Sequence, residues 1–525
     1  MPKSFIEMFT SARAISTPLV TVRTFDPSST IQSITKSLGK ELAALTPIVS
    51  YDSIHGLVGL NKIGGVALSE MAAEVGGELA ATVDLTLALT TLEKAKEDVI
   101  AFIHNPQLVW EKDQRVIQAE WNCRNLYKAR GNMLVNLVGM GDELPGELQQ
   151  DMLVLEEPLP TREELAKIVA DTYAYAAQKY PACKNAATPE IVEKCVAATI
   201  GLPAFPAEQA FSQSLDMKTG TMDFSSLWSR KKTIVSANPG LTYHINKGET
   251  LKDMYGCEVI RTLSKKFFAG KYRPNVIVRM DEIQRQFSGN GTDSSGTKGN
   301  LLGEWLTWVN DNDVVCTLLL GVPGSSKSWS VFCIGGEFDT PVIEYSLPAM
   351  EHEHVGKSSR HQRTAHKVLN AISGGVDGVS NPRIWLIASA NSLDGLPPEL
   401  ISRFQVGGIY FFDVPDDEEK QGIMKLKIAK YKLDPKQPLP KMDDWTGRDV
   451  NNCAFKAEAM GMSLTEAGQH VVPLLSSHRE QMDALRSYAT GRFLSASKPG
   501  VYRYSPPVTK YEPQVVPNED GRKFR

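Results

Sequence analysis

The order of three strand-like segments constrains this chain more than any other feature. Val276-Ile277-Val278-Arg279-Met280 is an apolar run that ends in Asp281-Glu282. Downstream, Val314-Val315-Cys316-Thr317-Leu318-Leu319-Leu320 opens into a glycine-containing loop, Gly321-Val322-Pro323-Gly324-Ser325-Ser326-Lys327-Ser328. A third run, Ile384-Trp385-Leu386-Ile387-Ala388-Ser389-Ala390, ends in Asn391 and leads through Leu396-Pro397-Pro398-Glu399-Leu400-Ile401-Ser402 to Arg403. Short apolar runs of this kind read as strands buried on both faces, as in a parallel sheet flanked by helices. The acidic strand precedes the loop that could cradle phosphate.

Each motif has a chemistry and a plainer reading. Successive backbone N–H groups of a glycine-rich loop wrap phosphate at a helix N-terminus. Lys327 would then neutralise phosphate charge, Ser328 would ligate Mg²⁺, and the loop with Trp329 forms the cofactor-binding set. The pattern departs at Ser326, where glycine is usual and a Cβ crowds the cradle. Asp281 could hold Mg²⁺ through water, and Glu282 could activate an attacking water; the plainer reading is a surface acidic pair opening a helix. Asn391 could orient that water. Arg403 could serve as an arginine finger, and Arg448, at the start of a helix, could reach phosphate from a lid; both are otherwise surface arginines. Histidines 352, 354, 361 and 366 fall in a polar loop and on a helix, without a convergent third ligand, which favours a structural role over a metal site.

The chain also contains a weak repeat. Over roughly the first 170 residues, strand-like and helix-like segments alternate, as in a parallel sheet with flanking helices. Leu137-Val138-Gly139-Met140-Gly141-Asp142-Glu143-Leu144-Pro145 resembles the stretch from Ile387 to Pro397, and both continue into a strand, a proline turn and a helix. The first copy lacks the chemistry: Phe25-Asp26-Pro27-Ser28-Ser29-Thr30 has no lysine, Phe102-Ile103-His104-Asn105 has no acidic pair, and Asp151 stands where the second copy has Arg403. A serine-rich stretch over 212–229, closed by Arg230-Lys231-Lys232, reads as a solvated linker. The stretch from about 495 onward reads as an extended arm.

Taken jointly, Met280-Asp281-Glu282-Ile283, the 299–308 stretch, the 321–328 loop and Ala388 to Arg403 resemble AAA+ ATPases from about 240 to 474. The nearest resemblance is to the plastid and cyanobacterial AAA+ reading-frame family, which also has a region similar to 122–160. In AAA+ ATPases the phosphate loop precedes the acidic strand, so the resemblance implies an internal permutation. Family sheets have the parallel order 5-1-4-3-2. Exchanging two strand–helix blocks preserves every strand direction and the hand of each crossover. The new links span neighbouring strands about 5 Å apart, and polar residues 310–313 and 373–381 can supply them.

The expected fold is therefore α/β: a degenerate AAA+-like domain over 1–175, a helical segment and linker over 176–245, a permuted AAA+ nucleotide-binding domain with a five-stranded parallel sheet over 246–420, a helical lid over 421–494 and a tail over 495–525. The resemblance implies ATP and Mg²⁺ as cofactors, ATP hydrolysis, a ring that is most often a hexamer, and remodelling of a protein or protein assembly. A nucleotide-dependent scaffold with little hydrolysis is the alternative, with Ser326 as its sign. The family's pore loop would fall at 347–352, without the aromatic residue common in peptide-threading motors. A rearrangement of this kind is compatible with a viral source.

Composition sets the remaining bounds. The chain has 525 residues, 42% hydrophobic and 22% charged, with net charge −4. That length accommodates roughly two to four domains. The charge balance supplies no basic field for nucleic acid or anionic membrane, which disfavours a nucleic-acid motor. No apolar run reaches the length of a bilayer span. Seven unpaired-looking cysteines and the absence of a signal-like N-terminus fit a reducing, cytoplasmic setting.

Overall fold

The chain is built on two mostly parallel sheets. The computed structural model describes residues 4–76, 79–142, 144–287, 297–351, 355–374, 383–473, 475 and 479–505. The first sheet comprises β1 (Leu19–Arg23), β2 (Ile48–Asp52), β3 (Gly56–Gly59), β4 (Ile100–His104), β5 (Met133–Val138) and β6 (Leu153–Glu156), in the spatial order β3-β2-β4-β5-β1-β6. Its pairs are parallel except the β2–β3 hairpin. A short antiparallel ribbon joins β7 (Leu215–Asp216) to β8 (Thr221–Met222).

The second sheet comprises β9 (Leu241–His244), β10 (Val276–Met280), β11 (Val315–Gly321), β12 (Val342–Tyr345), β13 (Ile384–Ala390), β14 (Ile409–Phe412) and β15 (Leu494–Ser495). Their order is β15-β14-β11-β13-β10-β12-β9, and only β9 runs antiparallel. β13 thus lies between β10 and β11 although it follows both in the chain. The sheet has seven strands rather than the expected five. The additional strands, β9 and β15, are at its two edges, where they cover backbone groups that would otherwise face solvent.

The strands form because both faces find an apolar partner. Every residue of β10 and β13 is buried. On one face of the second sheet Val278, Leu318 and Leu386 join a core with Trp305 and Phe404; on the other, Ile277, Leu319 and Trp385 pack with Phe268 and Val331. The first sheet is sandwiched in the same manner. A separate helical core of Met424, Trp445, Val450 and Leu464 packs helices Asp417–Lys430, Gly447–Met460 and Leu464–Gln469 together.

Four segments differ from the sequence expectation. Residues 212–229 are not a linker: they complete helix Ala204–Ser214, the β7–β8 ribbon and part of helix Phe224–Ser236. Lys231, expected in solvent, is 1% exposed, because the apolar stripe Leu227, Lys231, Val235 turns inward at helical spacing. The tail from Ser495 is folded as far as Ser505: β15 pairs with β14, and the Tyr502 hydroxyl donates to Asp413 at 2.6 Å. Within 347–352, Leu347 and Met350 are core residues, so that stretch does not offer an apolar loop to solvent; His352 lies outside the described residues, as do 375–381 of the expected 373–381 link.

The helix Val355–Ile372 ties the two sheets together. Arg360 pairs with the buried carboxylate of Asp142 at 2.7 Å, and Lys367 pairs with Glu156 of β6 at 2.7 Å. Gly141 permits this approach, because a Cβ there would stand 2.4 Å from Arg360 Cγ. Among the described residues no cluster suited to a metal ion is found. His361 Nδ1 lies 3.3 Å from the Met350 carbonyl, and His352 and His354 lie outside the described residues. His366 is stacked on Trp308 at 4.4 Å and bonds the Tyr345 hydroxyl at 2.9 Å.

Burial pushes the His366 imidazole down to about 3, whereas an unfolded histidine titrates near ~6.5. In the interval between, the unfolded chain binds a proton that the folded chain refuses. Stability from this site is therefore complete above the unfolded value and is lost as pH falls below it. His366→Phe keeps the ring stack and removes the titration. Thermal melts should show that the variant loses less stability than the parent between neutral and mildly acidic pH; parallel losses would remove His366 as a cause.

Candidate nucleotide site

The 321–328 loop emerges from β11 under close constraint. A Cβ at Gly321 would lie 2.0 Å from the Phe412 carbonyl of β14, so only glycine lets these strands pair at that point. Gly324 has φ +84 and lies against Thr446 and Arg448. Ser326 has φ +69, in the left-handed region that favours glycine, and it caps the helix Lys327–Glu337. The first N–H groups of that helix have no intrahelical partners and can receive an anion.

Lys327 is nearly buried, and its Nζ donates to the carbonyls of Gly321 and Val322 at 2.8 Å each and to Asn391 Oδ1 at 3.0 Å. Burial pulls this amine down to about 8; the nearby Asp281 carboxylate partly offsets the effect, and Arg448 adds to it. A cation so placed, with neutral partners only, gains from an anion entering the cavity.

Asp281, just beyond β10, gathers the site. Its Oδ1 accepts from the Ser328 hydroxyl at 2.9 Å and also from the Ser389 hydroxyl. Its Oδ2 faces Arg279, which pairs in turn with Glu344 at 3.0 Å. Burial alone would raise the Asp281 carboxyl, but the Ser389 bond, the Arg279 charge and the Ser328 bond outweigh it and hold the group below its ordinary value. Glu282 follows with φ +48, its N–H donating to Ser389 Oγ at 3.2 Å. Glu282 Oε1 accepts from Asn391 at 3.3 Å, and Oε2 pairs with Arg285 at 2.7 Å. Asn391 thereby joins the lysine to the glutamate.

These groups line a cavity of about 520 Å³ between the second sheet and the C-terminal helices. Pro323, Gly324, Ser325, Ser326, Lys327, Ser328 and Trp329 form one wall. Arg448 projects from the first turn of helix Gly447–Met460, and its N–H donates to the Gly324 carbonyl at 3.2 Å. Lys427 and Lys430 each stand 5.5 Å from the Trp329 ring. The sequence-derived residues Asp281, Glu282, Lys327, Ser328, Asn391 and Arg448 thus share one cavity. Two groups fall outside it. Gly321 and Val322 contribute carbonyls to Lys327 rather than lining the space, and Arg403, half-buried at the end of helix Pro398–Arg403, is not in its wall.

Three participants were missed from sequence: Ser389, Glu344 and His244, whose Nε2 lies 3.1 Å from Glu344. Ser389 had a readable signal, since it stands two residues before Asn391 and so on the same face of β13. Glu344 reaches Arg279 through the register of β10 and β12, which sequence does not disclose. The residues present suit a polyphosphate with a divalent cation: a helix N-terminus, a buried amine, and a hydroxyl–carboxylate pair at ligand spacing.

Ser389→Ala removes the foremost influence lowering Asp281. The carboxyl should then protonate at higher pH. Mn²⁺ binding followed by water relaxation should lose its acid limb at a higher pH than in the parent chain; an unmoved limb would exclude this hydroxyl from tuning Asp281.

Comparisons with known proteins bear on both sheets. A profile of the SpoVK-like AAA ATPase N-terminal domain matches residues 6–157, the stretch that builds the first sheet. The AAA domain-containing protein ycf46 of Trieres chinensis is 23% identical over 228 residues, covering 34% of this chain and 46% of its own length. Its counterpart from Gracilaria tenuistipitata var. liui gives the same figures, and that from Guillardia theta is 20% identical over 220 residues, 33% of this chain and 44% of its own. The matches span under half of each relative. Together they relate the protein to the AAA-type ATPase family.

Proposed function

We propose that the protein binds and hydrolyses ATP with Mg²⁺ through an AAA+ module whose segments stand in permuted order, and that it works as a ring, hexameric by family precedent, on a protein or protein assembly. The observation that carries this reading is the convergence of Lys327, Ser328, Asp281, Glu282 and Asn391 on one cavity from three strand ends. The sheet order supports the permutation: β14-β11-β13-β10-β12 matches the family order 5-1-4-3-2. The first sheet has the same spatial order, β6-β1-β5-β4-β2, with its strands in ordinary sequence. It supports a degenerate AAA+-like module at 1–175.

In this reading a bound nucleotide and Mg²⁺ supply the scissile phosphoanhydride and its charge neutralisation. The chain's own groups do the rest. The loop N–H groups and Lys327 hold phosphate, while Ser328 and Asp281 hold the cation. Glu282 accepts a proton from water, positioned with Asn391. Arg448 closes over phosphate from the helical lid. Arg403, outside its own cavity, is suited to reach a neighbour's. Reaction requires Glu282 to exchange its Arg285 and Asn391 partners for water. A scaffold with slow hydrolysis remains the second reading, favoured by the left-handed Ser326 and the tethered Glu282.

Turnover by the purified chain separates the two readings. Glu282→Gln should retain ATP affinity and abolish turnover, and Lys327→Ala should weaken binding itself. Arg403→Ala should leave affinity nearly intact while losing turnover. Partial recovery on mixing Arg403→Ala with Glu282→Gln subunits would support action in trans; a monomer with unimpaired Arg403→Ala turnover would exclude the finger and the ring. A parent chain that assembles but shows no Mg-dependent hydrolysis would favour the scaffold. Ser326→Gly relieves about 1 kcal/mol of backbone strain that the ligand-free loop already carries, so thermal melts should show a more stable chain with nucleotide affinity nearly unchanged; a fall in affinity would assign the Ser326 hydroxyl a direct contact.

A further inference from the structure

A second cavity, of about 480 Å³, lies at the seam between the two sheets. It takes its walls from three strand ends of the first sheet: Phe25 after β1, Met140 after β5, and Glu157 with Pro158 after β6. The corresponding ends of the second sheet, after β11, β13 and β14, contribute Pro323, Asn391 and Asp413 to the nucleotide cavity. The two cavities therefore occupy equivalent places on equivalently ordered sheets.

The seam cavity lacks a phosphate loop. The Thr24 hydroxyl donates to Glu157 at 2.6 Å, the Thr30 hydroxyl donates to the same carboxylate, and the 25–30 turn has no lysine. What it has instead is Lys231. This side chain is 1% exposed, and its Nζ reaches one protein acceptor, the Ala197 carbonyl at 3.3 Å. Two rings flank the amine, with the Trp228 centroid 5.2 Å away and that of Tyr243 5.8 Å; the wall also carries the carboxylates of Glu157, Glu163 and Asp339. Among the described residues no carboxylate forms an ion pair with it, and burial alone pushes its amine down to about 7. Lys367, also in the wall, is already held by Glu156.

A cation taken out of water without a counter-charge is costly, and a methionine of similar length would fill the same space without that cost. The amine makes physical sense if an anion arrives from solution. The half-buried rings of Phe25 and Trp228 in the same wall favour a flat apolar body behind the charge. We propose that the seam cavity binds a small molecule with a flat apolar body and one anionic group, phosphate or carboxylate, with Lys231 as its charge partner. This site is separate from the nucleotide cavity and independent of ATP hydrolysis.

The test is calorimetric titration of the full chain with phenyl phosphate and with benzoate, which share a ring and differ in the anionic head. At least one should bind, and the better of the two identifies the head group. Lys231→Met should weaken binding about tenfold or more, while Lys327→Ala leaves it unchanged. No binding of either probe, or binding that survives Lys231→Met or requires Lys327, would overturn the proposal. A second readout uses the unaltered chain: the bound probe should protect Lys231 from reductive methylation, scored by peptide mass spectrometry. Methylation of Lys231 at the same rate with and without saturating probe would equally overturn it.

Discussion

The site of the second sheet depends on one carboxylate. Asp281 follows β10, accepts from Ser328 in the first turn of the helix after β11, and accepts from Ser389 in β13. Through Arg279 and Glu344 it reaches β12, and through His244 it reaches β9. One acidic group thereby fastens five strands at a single sheet edge. Such an arrangement is a matter of spatial neighbours rather than chain order. Parallel strands that all leave the sheet at the same edge present their ends together whichever is synthesised first, provided each crossover keeps its hand. The position of β13 between two earlier strands follows the same logic.

Strain collects around that carboxylate. Glu282 at φ +48 and Ser326 at φ +69 are both non-glycine residues in left-handed conformation, each costing on the order of 1–2 kcal/mol. Their surroundings hold them there. Glu282 is fixed by its N–H bond to Ser389 and by Asn391 and Arg285, and Ser326 sits where a Cβ on Gly447 would come within 2.8 Å of its hydroxyl. The packing of loop against helix Gly447–Met460 thus restrains the phosphate-type loop, so movement of those helices and the conformation of the loop are linked.

Much of this was legible in the residues, for identifiable reasons. β10, β11 and β13 are buried on both faces, so their sequences are nearly continuous apolar runs that only a strand in a covered sheet explains. Asp281 and Asn391 stood out because a polar residue directly after such a run is placed at the sheet edge, and Lys327 and Ser328 because they close a glycine-containing loop that leaves one. The failures had a different origin. Glu344 and His244 belong to the site only through strand register, which involves residues distant in sequence. Lys231 was misjudged because its neighbours Arg230 and Lys232 suggested a charged surface, whereas helical spacing with Leu227 and Val235 assigned it to the buried stripe. The stretch after Ser495 lacks periodicity because its order comes from single anchors, Tyr502 on Asp413 and Tyr504 on Asp483, rather than from a repeating face.

The two sheets share a strand order while their strand ends carry different chemistry. The cores of both are made of apolar contacts between strands and helices, and none of those contacts requires a lysine after β1 or an acidic pair after β4. The first sheet can therefore stand without them. Its strand ends make a different contact: Asp142 and Glu156, which lie after β5 and at the end of β6, receive Arg360 and Lys367 from the second sheet's helix Val355–Ile372. The strand ends that in the second sheet open onto the nucleotide-type cavity are, in the first, partly taken up by an ion-paired joint. Beside that joint lies the pocket around Lys231, whose buried amine donates to the Ala197 carbonyl and, among the described residues, has no carboxylate partner.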